Sequence, residues 1–106
     1  MLRRRTALAT LAALLTTHAQ AQTWPSRGLR ILLPVPPGGA FDSTTRLIQE
    51  PLARQLGQPV TVENRGGGAG VPATEAVVRA ADGHTFGLIG SSHAANATLL
   101  TPPYDA

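Results

Sequence analysis

The sequence predicts an α/β fold, a partial parallel sheet in the order β-α-β-α-β with a further helix opening after the last strand. Two observations carry this. Short apolar or β-branched runs alternate with stretches of helical periodicity, which is the pattern of βαβ units. The first of these runs is almost continuously apolar, as a parallel strand covered on both faces should be.

Leu29-Arg30-Ile31-Leu32-Leu33 is that first strand, and Pro34-Val35-Pro36-Pro37-Gly38-Gly39 stops it in a turn. Over residues 40–56 the apolar positions Phe41, Ile48, Leu52 and Leu56, joined by Leu47, recur at helical spacing, and Gly57 is a C-terminal stop. An amphipathic helix is expected. Pro51 lies inside it and removes the hydrogen bond to the Leu47 carbonyl, so a kink is expected there. Pro59-Val60-Thr61-Val62-Glu63 reads as the second strand, closed by Asn64-Arg65 and the run Gly66-Gly67-Gly68-Ala69-Gly70. Pro72 suits the first turn of a second helix, whose apolar face of Ala73, Ala76, Val77, Ala80 and Ala81 runs until Asp82-Gly83. His84-Thr85-Phe86-Gly87-Leu88-Ile89-Gly90 is the third strand, and Ser91-Ser92-His93-Ala94-Ala95-Asn96 opens the third helix.

Right-handed crossovers predict the spatial order 2-1-3, with a topological switch point between the first and third strands. Ligands of open α/β sheets bind beyond the carboxyl ends of the strands at such a point, here between the loops at residues 36–40 and 90–94.

The N-terminus reads as an export signal. Arg3, Arg4 and Arg5 precede an Ala/Leu/Thr stretch, and Ala19-Gln20-Ala21 is a small-x-small cleavage triplet. This divides the chain into a signal peptide at residues 1–21 and a mature part at residues 22–106. The apolar stretch falls short of the ~20 residues that span a bilayer. Arg5-Thr6-Ala7 stands where a twin-arginine signal would carry a strongly apolar residue, so the general secretory route is preferred, with the twin-arginine route as second choice. The signal arginines account for the formal charge of +3, because the arginines and acids of the mature part balance. A basic nucleic-acid-binding face is thereby excluded. Cysteine is absent, which removes disulfides and thiolate metal sites and leaves folding to core burial alone.

Pro36 and Pro37 stiffen the first loop, while Gly38 and Gly39 permit unusual dihedrals and close backbone approach to a ligand. The loop then opens a helix, whose free N–H groups suit a carboxylate or phosphate. An ordinary strand-to-helix turn is the competing reading. Asp42 is expected to act as a cap or first-turn acid rather than to read a ligand. Ser91 and Ser92 hold the matching place after the third strand, where hydroxyl and N–H groups suit the other end of a small anion, or helix capping, or both.

Other chemistries find less support. Val71 occupies the third glycine position of a dinucleotide fingerprint, and no Gly-Lys-Ser/Thr occurs. His84 at a strand start and His93 in a loop lack metal-ligand spacing, and Gly90-Ser91-Ser92-His93 is not a nucleophile elbow. No metal and no cofactor are expected.

Trp24-Pro25-Ser26-Arg27, Ile31-Leu32-Leu33-Pro34-Val35-Pro36-Pro37-Gly38-Gly39-Ala40-Phe41-Asp42, Leu56-Gly57-Gln58-Pro59-Val60-Thr61-Val62-Glu63-Asn64-Arg65, Asp82-Gly83-His84-Thr85 and Pro103-Tyr104-Asp105 stand in characteristic order. Together they resemble the Bug-type receptors of tripartite tricarboxylate transporters over nearly the whole chain. The resemblance implies a two-lobed, Venus-flytrap-like periplasmic binding protein of the type 2-like fold, with residues 22–106 forming the N-terminal part of its first lobe. It implies capture of small carboxylates, such as di- or tricarboxylates, amino acids or aromatic acids, for the membrane components of the transporter, without catalysis. It places the ligand carboxylate on Pro37, Gly38 and Gly39, and also on Ser91 and Ser92. The glycine run departs from the family's Pro-Gly-Ala-Gly-Gly by lacking the proline. Members are several times longer, so a truncated receptor with weakened or lost binding is expected. The alternatives are a small α/β enzyme or nucleotide-binding module using the loop of residues 66–70, and a remnant that does not fold.

Overall fold

A computed structural model of the chain describes residues 21–105, so the signal-peptide reading lies, but for Ala21, outside the described residues. The elements are β1 (Leu29–Leu33), α1 (Ala40–Leu56), β2 (Val60–Asn64), a 3₁₀ turn (Gly68–Gly70), α2 (Val71–Ala80), β3 (Thr85–Gly87) and α3 (Ser91–Leu99). All three strands are parallel in the order β2-β1-β3, the expected 2-1-3 arrangement.

Central position explains the apolarity of β1. It pairs with β2 from Leu29↔Val60 to Leu33↔Asn64 and with β3 from Arg30↔Thr85 to Leu32↔Gly87. Successive side chains point to opposite faces, and the neighbours Leu32 and Leu33 are both fully buried, so both faces are covered at the carboxyl end of this strand. Leu29, Val60 and Ala73 complete a small buried core. Right-handed crossovers in this order put α1 on one face and α2 on the other, where α1 packs along β2 and α2 along β3 and β1.

Two local expectations change, those for Leu47 and for the length of β3. α1 runs unbroken through Pro51. Pro51 and Leu47 are both exposed, so water can reach the carbonyl that the proline leaves without a partner. Leu47 does not join the apolar face, being 77% exposed. β3 keeps only Thr85–Gly87 of the expected run, and one further ladder bond, from the Leu88 N–H to the Leu32 carbonyl at 3.0 Å, closes it. Beside α1 the sheet is partly open, with an apolar groove of about 490 Å³ lined by Trp24, Ile31, Ile48, Leu52 and Phe86 among others.

At the amino ends of the strands a clasp holds the N-terminal segment. The Trp24 indole N–H donates to the Gly83 carbonyl at 3.1 Å, and the Ser26 N–H donates to His84 Nε2 at 3.2 Å. Asp82 organises the turn by accepting the N–H groups of His84 (2.9 Å) and Thr85 (2.8 Å) and the Thr85 hydroxyl (3.0 Å). These bonds, led by the His84 N–H and helped by Arg27 3.2 Å away, lower the Asp82 carboxyl to about 2.

Candidate anion-binding site

Three helices begin at the carboxyl edge of the sheet, and their starts converge. Gly39 is the N-cap of α1 and Gly90 the N-cap of α3; both are extended, and neither helix receives a side-chain cap. The Ser43 N–H donates to the Gly39 carbonyl at 2.9 Å and the His93 N–H to the Gly90 carbonyl at 3.0 Å. The earlier N–H groups of each first turn, those of Ala40, Phe41, Ser91 and Ser92, find no backbone acceptor among the described residues.

The Pro-Gly-Gly loop is braced from behind by Asp42. This buried side chain stands at the third helical position and reaches back to accept the Gly38 N–H at 3.0 Å. Its other oxygen accepts from the Asn64 amide and from Arg46 Nε, each at 3.0 Å. The Asn64 amide also donates to the Val35 carbonyl at 3.2 Å, tying the end of β2 to the loop after β1. The Gly38 N–H, followed by the Asn64 amide and the Arg46 guanidinium, holds the Asp42 carboxyl below the usual carboxylate range. Asp42 therefore spends its lone pairs on the loop, as the sequence suggests for a first-turn acid, but it caps Gly38 rather than the helix itself.

Backbone crowding explains the glycine run. A Cβ on Gly66 would stand 2.8 Å from the Pro36 nitrogen, and one on Gly70, whose φ is +82°, would stand 3.0 Å from Pro34 Cβ. Gly66 and Gly70 are thus packed against the proline loop. From the other side the Asn96 amide donates to the Ala69 carbonyl at 2.9 Å, so α3 grips the same turn.

The predicted site residues are thus brought to one edge, with unequal capacities. Pro37 has no N–H, and the Gly38 N–H is taken by Asp42. Gly39 and the two residues after it remain as donors from α1. Ser91 and Ser92 are exposed at the first two positions of α3; they do not cap it, because Gly90 holds the N-cap place. His93 lies within α3 rather than in a loop, its ring stacked on Tyr104 with centroids 6.1 Å apart. Asn64 and Asn96 are not singled out by the sequence; the one signal for Asn64 is its place at the strand end facing the loop. Among the described residues no group of three or more His, Asp or Glu side chains could hold a metal ion.

A parallel α/β sheet with two helix starts lacking side-chain caps at its carboxyl edge is the arrangement in which open α/β folds bind ligands. Comparison with known proteins agrees. Residues 44–105 match the TctC model, described as the tripartite tricarboxylate transporter family receptor, and the chain belongs to that family. It is 43% identical over 99 residues to a UPF0065 protein of Bordetella bronchiseptica, an alignment covering 91% of this chain and 30% of the relative. It is 45% identical over 73 residues to protein BugT of Bordetella pertussis, covering 68% of this chain and 22% of the relative. Among solved structures, one described as a periplasmic transporter superposes with a TM-score of 0.69 at 36% identity, covering 77% of this chain and 29% of that one. MatC from Rhodopseudomonas palustris with bound malate gives 0.66 at 38% identity, covering 76% and 29%. The chain therefore spans about a third or less of the length of these relatives.

Proposed function

We propose that this chain forms one wall of a periplasmic receptor site for small carboxylates, serving a tripartite tricarboxylate transport system. In this reading the ligand carboxylate sits between the helix starts. It accepts from the N–H of Gly39 and the first turn of α1, and from the N–H and hydroxyl groups of Ser91 and Ser92. Pro37 and Gly38 shape the loop instead of bonding the anion. The single observation that carries the reading is the convergence of two helix starts, each with a glycine N-cap and no side-chain cap, at the switch point of the sheet. Such a site holds an anion by backbone dipoles without a cation.

Family membership supports the receptor role, and the malate bound to MatC supports the ligand class. The export signal at residues 1–21 would deliver the mature part to the periplasm, through the general secretory route. The chain covers less than a third of its solved relatives, so what it forms is one part of the receptor site. A thermal-shift screen of the full chain tests the reading. Stabilisation by malate, adipate or another small carboxylate supports it; stabilisation by NAD or ATP and by no carboxylate reverses it in favour of a nucleotide module.

A further inference from the structure

We propose that Phe41 is the specificity-determining residue of this wall, and that it selects acids whose body next to the carboxylate is apolar, alkyl or aryl, over hydroxylated or multiply charged acids. The inference rests on the anion-site reading above. Phe41 is the second residue of α1, so its N–H belongs to the anion-facing turn while its ring leaves from the same residue. The ring is 44% exposed and makes no aromatic pair among the described residues. Its Cε2 and Cζ atoms lie 3.8 and 3.9 Å from where a Cβ would stand on Gly90. The ring thus reaches from the start of α1 to the N-cap of α3, and an acid whose oxygens meet both helix starts has its first carbons beside it.

The surrounding chemistry points the same way. Residues 34–42 and 86–96 contain no Arg or Lys, and Arg46, one turn along α1, is already paired with Asp42 at 3.0 Å. The Asp42 carboxylate at the third position of α1, itself paired with Arg46, gives a second carboxylate no attraction. A ligand hydroxyl laid against the ring loses its water and gains no hydrogen bond, whereas an alkyl or aryl body covers a phenyl face that is otherwise wet. Gly90 carries no side chain to cover the ring edge.

The test is a titration of the full 106-residue chain with acetate, malate, hexanoate and benzoate, followed by amide chemical shifts, which register weak binding. Hexanoate and benzoate are expected to bind about tenfold tighter than acetate or malate. Phe41→Ser is expected to bring all four acids within about twofold of one another, and Phe41→Leu to keep the preference for hexanoate. Equal affinities in the unmodified chain, or a preference that survives Phe41→Ser, overturn the role of Phe41 and leave the anion site standing. Absence of binding by every acid removes the site and the role of Phe41 together.

Discussion

Asp42 and Gly38 are joined by a 3.0 Å hydrogen bond that runs backward across the start of α1, from the loop N–H to a buried carboxylate four residues later. The bond fixes the loop without engaging the N–H groups of Gly39 and Ala40, which the proposed ligand uses. A carboxylate in this position serves the anion site by holding its frame, although its own charge is unfavourable to an anion close by. Three neutral or cationic donors, Gly38, Asn64 and Arg46, offset that charge.

Asp42→Ala should therefore act on both stability and binding. It strands the Gly38 N–H and frees the Asn64 amide, and we expect the thermal midpoint to fall by about 5–10 °C. Carboxylate affinity should drop as the loop loosens, by about tenfold. Thermal melts monitored by circular dichroism, with a parallel acetate titration, check both.

Gly66→Ala should destabilise the fold by about 1–3 kcal/mol, because its Cβ would press into the Pro36 nitrogen and the Val35 carbonyl carbon, both backbone atoms. Gly67→Ala meets no neighbouring atom, but it must adopt a φ of +91° and is strained for that different reason. Urea unfolding of the Gly66 variant measures the crowding directly. A neutral result would mean that the glycine run is not pressed against the proline loop.

Ala81 closes α2 in the left-handed region, with φ +41° and ψ +36°, a conformation that costs an L side chain about 1–2 kcal/mol. Ala81→Gly should consequently raise stability by about 1 kcal/mol, read as a higher urea midpoint at unchanged slope.

The Asp82 turn sets a pH dependence. Its carboxyl titrates at about 2 in the folded chain, below the value of about 4 expected when unfolded. A depressed folded value means that the unfolded chain binds the proton first. The stabilisation from Asp82 is thus complete above pH ~4 and is lost as the pH falls toward 2. Stability measured between pH 5 and pH 2 should fall more steeply in the parent chain than in Asp82→Asn.

Much of this is legible in the sequence, and the exceptions have physical causes. The strand order follows from chain order and handedness once β1 reads as buried, and the loops after β1 and β3 then meet at the switch point. What pattern cannot give is the partner of each polar group. Nothing local says that Asp42 bonds Gly38 and Asn64, or that Asn96 bonds Ala69, because those bonds span separate elements. Leu47 and Ile48 fit a helical stripe, yet both stay exposed, Ile48 where α1 borders the open groove instead of a second packed layer. β3 reads too long in the sequence because Leu88 and Ile89 are apolar, although β1 offers pairing only as far as Leu32 and Leu33.

The central claim is that an anion is held between the starts of α1 and α3. Its most direct test is an acetate titration of the ¹⁵N-labelled full chain, at constant ionic strength maintained with sodium chloride. The account predicts that the amide signals of Gly39, Ala40, Ser91 and Ser92 move together along one saturable curve. Signals at these four residues that stay still while acetate replaces chloride would contradict it.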